Sequence, residues 1–329
     1  MNMAELRYNP LIKDWVMIAS HRQNRPQMPK DWCPFCPGSG KVPEHFTVFE
    51  YDNDFPALSQ APPEPDAVAT DFYHTKEAYG KCEVILYSPD HTVTLPELPV
   101  SHIEELVELW TERFEELKKD DRIKYIFIFE NRGDVVGVTM PHPHGQIYGY
   151  SFIPKKLELE LASCTEYFEE KHRCLICDMV QDELKAKERI IIENDDFVTF
   201  LPFFSDYPYG VYIAAKSHIQ NLCQFSKQQK FNLAQILKET AGTLDSLFGY
   251  TFPYMMCMHQ DPVNSGDFSE SFHFHIEFYP PMRSAEKQKF NASSETGAWA
   301  ACNPTAPEEK AAELREAHQR FMNKRKNED

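Results

Sequence analysis

The order Cys-x-x-Cys, His, helix, His-x-His occurs twice along this chain, and no other feature narrows its folding choices as far. The first pass runs Cys33-Pro-Phe-Cys36, a strand-like Glu83-Val-Ile-Leu-Tyr87 leading to His91, a helical stretch, a strand-like Lys124-Tyr-Ile-Phe-Ile-Phe129 and then His142-Pro-His144. The second runs Cys174-Leu-Ile-Cys177, Val211-Tyr-Ile-Ala214 leading to His218, another helical stretch, and Phe272-His-Phe-His-Ile-Glu-Phe278. Self-similarity in fixed order points to a duplicated unit. The helical stretches agree in detail. Ser101 with Glu104 and Ser226 with Gln229 both read as capping boxes. Behind them Ile103, Leu106, Val107, Trp110, Phe114 and Leu117, and then Leu233, Leu237, Leu244 and Leu247, keep helical spacing, with Gly249 as a stop. Short apolar strands outnumber helices and no βαβ alternation appears. The prediction is therefore an α+β fold of two similar halves, 1–150 and 151–329, each a mostly antiparallel sheet with flanking helices. Pro307–Asp329 is expected to form a closing, largely solvated helix.

Charge limits the partners. Asp and Glu number 51 against 34 Lys and Arg, a net charge of −17, which argues against a non-specific binder of nucleic acid or anionic membrane. The start lacks a cationic segment followed by an apolar one, and runs such as Tyr125–Phe129 are too short to span a bilayer. Nine cysteines, four of them in two Cys-x-x-Cys pairs, suggest metal-bound thiolates in a reducing, cytoplasmic compartment. Glycine is scarce, at 12 residues, and neither a P-loop nor a dinucleotide-binding glycine fingerprint is present.

Cys33 and Cys36 have the spacing with which two thiolates grip one tetrahedral zinc, and His91 and His142 are the positional candidates to complete the set. A redox pair or two buried thiols is the plainer alternative. Pro34 and Pro37 favour a rigid knuckle, and repetition of the whole order favours zinc. The second set is Cys174, Cys177, His218 and His273. With all four positions filled, a structural role is expected of each.

Met140-Pro-His-Pro-His-Gly-Gln146 carries the sharpest chemical signal. Pro143 pushes His142 toward extended geometry, and residues two apart in an extended segment share a face. A metal holding His142 would thus present His144 nearby on a stiffened backbone. Gly145 lets a phosphate approach the main chain, and the Gln146 amide can donate to a phosphoryl oxygen without adding charge. An imidazole with a pKa of about 6.5 is largely neutral at working pH and can attack phosphorus unaided. Displacement of the resulting phosphoramidate by a second phosphate gives a two-step transferase. The second half offers His273-Phe-His275-Ile-Glu277, with no Pro or Gly and with Glu277 where Gln146 stands, so it is read as degenerate.

At this point the chain resembles the galactose-1-phosphate uridylyltransferases of the histidine triad superfamily. The likeness runs through Arg7-Tyr-Asn-Pro-Leu11, His21-Arg-Gln-Asn-Arg-Pro26, Asn53-Asp-Phe-Pro-Ala-Leu58, Ser88-Pro-Asp-His91, Leu95-Pro-Glu-Leu98, Phe129-Glu-Asn-Arg-Gly133, Ser271-Phe-His-Phe-His275 and Phe278-Tyr-Pro-Pro281. The resemblance implies two histidine-triad-like halves and exchange of UMP between UDP-glucose and galactose 1-phosphate through a uridylyl-histidine at His144, with Gln146 holding the transferred group. It implies nucleotide contacts from Arg22, Arg25, Asn53, Asp54, Phe55, Asn131, Gly137 and Thr139. The C-terminal half would bring a hexose segment with Lys289, Phe290 and Glu295, and the enzyme would be a homodimer. Ala301 stands where some members carry a hexose-contacting Gln. For the second metal site the family offers two patterns: iron on Glu160, His259, His273 and His275, or a second Cys2His2 zinc. Both sets exist here and share His273; the two thiolates favour zinc. A sister activity, ADP-glucose:phosphate adenylyltransferase, is the enzymatic alternative. Gly145, where adenylyl relatives carry Ser, favours the uridylyl reading. A non-catalytic zinc-binding interaction module is the remaining alternative.

Overall fold

A computed structural model describes residues 4–24 and 32–328. In chain order the strands are β1 (Ala4–Asn9), β2 (Asp14–Ala19), β3 (Phe49–Asp52), β4 (Thr75–Glu77), β5 (Gly80–Leu86), β6 (Tyr125–Arg132), β7 (His144–Tyr150), β8 (Ile190–Glu193), β9 (Phe197–Phe200), β10 (Tyr212–Ala215), β11 (Tyr254–His259) and β12 (His275–Tyr279). The helices are α1 (Val100–Leu117), α2 (Lys155–Lys171), α3 (Leu175–Ala186), α4 (Lys227–Phe248), α5 (Ser293–Ala298) and α6 (Pro307–Glu328).

Nine strands form one antiparallel sheet in the order β3-β5-β7-β6-β11-β12-β10-β9-β8. The expected α+β class and repeated plan are present, and the two sheets are fused. β6 pairs with β11 from Ile128↔Met258 to Arg132↔Tyr254, so β5-β7-β6 and β10-β12-β11 face each other across that seam.

The period-two alternation of the strands sends Ile85, Ile126, Ile128, Ile147, Met256, Met258, Ile276 and Phe278 to one face. There they pack against Leu106, Trp110 and Phe114 of α1 and Leu233, Leu237 and Leu244 of α4. The opposite face is covered in the first half by a small β2-β1-β4 sheet, through Ala4 and Leu6 against Cys82, Tyr125, Tyr148 and Tyr150. In the second half α2 and α3 cover it, through Leu161, Cys164, Ile176 and Val180 against Val198, Phe200 and Ala214.

The second capping box forms as expected: Ser226 Oγ accepts from Gln229 N at 3.2 Å, Gln229 Oε1 accepts from Ser226 N at 2.9 Å, and Gly249 closes α4 at φ 78°. The first does not. α1 begins at Val100, with Pro99 as its cap and its carbonyl accepting from His102 N and Ile103 N, so Ser101 lies inside the first turn. The reciprocal contact occurs one turn earlier, where Thr94 N and Oγ1 both donate to Glu97 Oε2 at 2.7 Å. The C-terminal helix forms as expected and is mostly exposed or half-buried, with one buried stripe. α6 buries Ala311, Leu314, Ala317 and Phe321 at i, i+3, i+6 and i+10, because this stripe seals α4.

Candidate functional site

The loop carrying Cys33 and Cys36 folds over the β5 and β7 end of the sheet, with Cys33 and Phe35 packed on Val84 and Leu86. It brings Cys33, Cys36, His91 and His142 together, with one ligand atom of each within 4.8 Å of the others. His142 Nδ1 lies 3.8 and 3.6 Å from the two sulfurs, while its Nε2 is 2.8 Å from the Ser88 carbonyl oxygen. That carbonyl takes the ring proton and turns the Nδ1 lone pair to the thiols, as a metal ligand requires. Burial pushes the Cys33 thiol up to about 11 and the His142 imidazolium down to about 4. A neutral imidazole beside a buried Cys33 sulfur that resists ionising unaided belongs to a donor set suited to a cation.

The second group repeats this geometry. Cys177 Sγ is 3.3 Å from His218 Nδ1 and 3.2 Å from His273 Nδ1, and the Nε2 atoms of these rings lie 2.7 and 2.8 Å from the Ser269 and Ala215 carbonyls. Cys177 and His273 hydrogen-bond to the Cys174 sulfur and hold its thiol down at about 4. Cys174 completes the group of four.

His144 opens β7 and turns away from the helix face. Its Nδ1 is 2.7 Å from the His142 carbonyl oxygen, which fixes the proton there and leaves Nε2 as the lone-pair nitrogen. Phe35 packs edge-on against the ring. His144 and Gln146 line a cavity of about 290 Å³ together with Arg22, Asn131, Gly137 and Thr139, all predicted site residues, and with Phe129, Val138 and Tyr148. Tyr148 was not singled out in the sequence, although it continues the His144, Gln146 alternation onto the same face. Its hydroxyl lies 3.4 Å from both Gln146 Oε1 and Arg22 Nη1.

The other predicted residues lie elsewhere. Arg25 falls outside the described residues. Asn53 Oδ1 accepts from Phe55 N at 2.9 Å, and Asp54 pairs with Lys41 at 2.9 Å, in the turn after β3. Lys289 sits over the Tyr207 ring, Phe290 is 73% exposed, and Glu295 accepts from Ala292 N at the start of α5; none of the three lines the His144 cavity.

In the second half Glu277 takes the Gln146 position: Gln146 pairs with Phe129 and Val84, and Glu277 with Cys257 and Tyr212. His275 reproduces the backbone contact of His144, with Nδ1 3.0 Å from the His273 carbonyl. Its Nε2, however, faces carboxylates, Glu160 at 3.3 Å and Glu277 at 3.7 Å. His259 adds contacts of 2.7 Å to Glu160 and 3.3 Å to Glu277, and Lys156 reaches Glu277 at 2.6 Å. Burial would raise both carboxyls, but the two imidazoles outweigh it and hold them below the usual range.

Glu160, His259, His275 and Glu277 thus form a third group able to hold a metal. The expected overlap of the two second-half ligand sets is not observed. His273, which precedes β12, belongs with Cys174, Cys177 and His218, and Glu277, two residues beyond His275 on the same strand face, fills its place beside Glu160.

Residues 1–154 match the family described as galactose-1-phosphate uridyl transferase, N-terminal domain, and residues 160–325 match the corresponding C-terminal domain. The chain is 44% identical over 315 residues to a galactose-1-phosphate uridylyltransferase of Thermotoga maritima, covering 95% of this chain and 98% of that protein. It is 35% identical to one of Haemophilus influenzae, covering 86% of each. Among solved structures, a uridylyltransferase superposes with a TM-score of 0.89 at 30% identity, covering 96% of this chain and 99% of that one. An Arabidopsis thaliana ADP-glucose phosphorylase with bound ADP-glucose shares the fold, with a TM-score of 0.73 at 24% identity over 95% of this chain and 98% of that one.

Proposed function

The chain belongs to the galactose-1-phosphate uridyl transferase family, and from that premise we propose that it moves UMP from UDP-glucose to galactose 1-phosphate through a covalent intermediate on His144. The observation that carries this reading is the His144 ring itself, protonated on Nδ1 toward the His142 carbonyl, with Nε2 as the nucleophile and the ring in the wall of a polar cavity.

In the first step the Nε2 lone pair attacks the α-phosphorus of UDP-glucose. A P–N bond forms, the P–O bond to the β-phosphate breaks, and glucose 1-phosphate leaves with that electron pair. In the second, a phosphate oxygen of galactose 1-phosphate attacks the same phosphorus, the P–N bond breaks, and UDP-galactose departs with the imidazole restored. The His142 carbonyl stabilises the positive charge that builds on the ring during each passage. Gln146 and Arg22 face the non-bridging oxygens, where fixed donors act in a site screened from water.

The donor set of each Cys2His2 group suits zinc. Cys33, Cys36, His91 and His142 would hold one ion, and Cys174, Cys177, His218 and His273 a second. When bound, zinc supplies a fixed anchor for the loop and leaves the chemistry to His144. The two-carboxylate, two-imidazole group in the second half is a harder set, closer to the preferences of iron than to those of a thiolate zinc site. Gly145, where adenylyl relatives carry Ser, favours the uridylyl reading, and a Cβ there would stand 2.3 Å from the Tyr87 hydroxyl, so the glycine also meets a packing need. Lys289, Phe290 and Glu295 stay outside the cavity, an arrangement that suits a homodimer in which they serve the site of the second copy. All nine cysteines are unbridged, consistent with a reducing cytoplasm.

The test is to expose the protein separately to UDP-glucose and ADP-glucose and weigh it. A UMP adduct on His144 from UDP-glucose alone is expected. An AMP adduct from ADP-glucose alone would assign the sister activity, and no adduct from either would end the transferase reading.

A further inference from the structure

The helix-facing side of β6 changes character at its end. Ile126 and Ile128 are apolar and buried, but the next two residues on that face, Glu130 and Arg132, are charged and equally hidden. They bracket Asn131, which turns the other way into the His144 cavity. Each is tied to a different element: the Tyr254 hydroxyl of β11 donates to Glu130 Oε1 at 3.3 Å, and Arg132 Nη2 meets Asp245 of α4 at 2.7 Å. Asp245 is held in turn by the Phe252 amide, which donates to its other oxygen at 2.8 Å. Nearby, the buried Tyr87 hydroxyl, which like Glu130 Oε2 has no hydrogen-bond partner, fills the space where a side chain at 145 would begin. Buried polar groups therefore lie beneath both Asn131 and Gly145.

Burial on this scale is costly, and well-packed apolar residues in such places commonly leave a protein as stable or more so. Stability alone does not account for two buried ionisable side chains here. We propose that Glu130 and Arg132 are positioning residues for the transfer step, fixing Asn131 from below beside His144 and Gln146. This inference rests on the uridylyl-transfer reading. The lever is β6 itself: a small displacement of its end moves Asn131 directly and reaches β7 through the neighbouring Phe129↔Gln146 pair, and misplacing a reacting group by about 1 Å can cost on the order of 100-fold in rate.

The test uses the full-length, metal-replete protein with Glu130→Leu, Glu130→Gln and Arg132→Met. Melting temperature, affinity for UDP-glucose, and the single-turnover rate of His144 uridylylation at saturating UDP-glucose are measured for each. Glu130→Leu is expected to melt at or above the wild-type temperature, and Arg132→Met, which leaves the half-buried Asp245 without its partner, to melt lower but stay folded; both should bind UDP-glucose with roughly unchanged affinity, yet react at least about tenfold more slowly. Glu130→Gln, which still accepts from Tyr254, is expected to regain most of the rate. A folded Glu130→Leu or Arg132→Met that reacts at the wild-type rate overturns the proposal. So does failure of both to fold, which would make the pair a stabiliser. A wild-type protein that forms no adduct removes the uridylyl reading and this inference with it, whereas a reactive wild type with equally reactive variants removes this inference alone.

Discussion

His144 holds its Nδ1 2.7 Å from the carbonyl oxygen of His142, and His275 holds its own Nδ1 3.0 Å from the carbonyl of His273. The two rings are thus set by the same backbone device, and the Nε2 of His275 meets the Glu160 and Glu277 carboxylates. Replacement of His144 by Ala is expected to abolish the nucleotide adduct and lower kcat on the order of 10⁴-fold or more, with the melting temperature little changed. Mass analysis after UDP-glucose exposure checks both halves of the statement. His275→Ala should leave adduct formation intact.

Gln146→Glu recreates in the first half what Glu277 does in the second. A carboxylate facing a phosphate that carries negative charge reverses a favourable contact. The expected loss in kcat/KM is about 10²- to 10³-fold, while Gln146→Asn keeps the amide and loses less. Steady-state kinetics at fixed ionic strength separates the two variants.

Metal removal should act locally. Cys33→Ser is expected to release one metal equivalent, lower the melting temperature and slow adduct formation, because the loop that carries His142 then lacks its anchor. Cys177→Ser should release a different equivalent and slow adduct formation less, since its group lies in the half without the nucleophile. Metal analysis and thermal melts of both variants make the comparison.

Glu130 should leave a signature in the pH dependence of stability. Burial pushes its carboxyl up to about 7, above the 4.5 of an exposed glutamate, so the folded protein holds this proton more tightly than the unfolded chain. Protonated folding is favoured below that window, and the contribution is lost as pH rises from about 4.5 to about 7, by on the order of 3 kcal/mol. Glu130→Gln cannot titrate. Its stability relative to wild type is expected to rise between pH 5 and pH 8, as read by denaturant melts; a constant difference would refute the assignment.

Gly145→Ala is expected to destabilise the fold by roughly 1–3 kcal/mol, since the new Cβ would stand 2.3 Å from the Tyr87 hydroxyl and 3.1 Å from the Phe129 carbonyl. Combining it with Tyr87→Phe should restore part of that loss. Additive effects in a double-mutant cycle would rule out the contact.

Much of this arrangement was legible in the sequence because its signals are local or repeated. The two Cys-x-x-Cys pairs and the His residues that complete them could be grouped from their shared order, and the period-two spacing of His144 and Gln146 placed both on one face. The same spacing extends to Tyr148. What escaped depends on residues that meet only after folding. Glu277 read as a repellent for phosphate, yet it joins Glu160 and His259, which arrive from a helix and a strand far away in sequence. Ser101 misled because a serine-to-glutamate spacing does not reveal that Pro99 starts the helix first. The solvated look of α6 hid the apolar stripe Ala311, Leu314, Ala317 and Phe321, diluted among eleven charged residues between Pro307 and Glu328.

The β6–β11 seam has a further consequence. Cutting the chain between its halves would strip main-chain partners from the strand that presents Asn131 and leave a raw edge beside the nucleophile's own strand. The second half therefore acts as a retaining wall, and deleting it would unmoor the first half along the seam from Ile128 to Arg132.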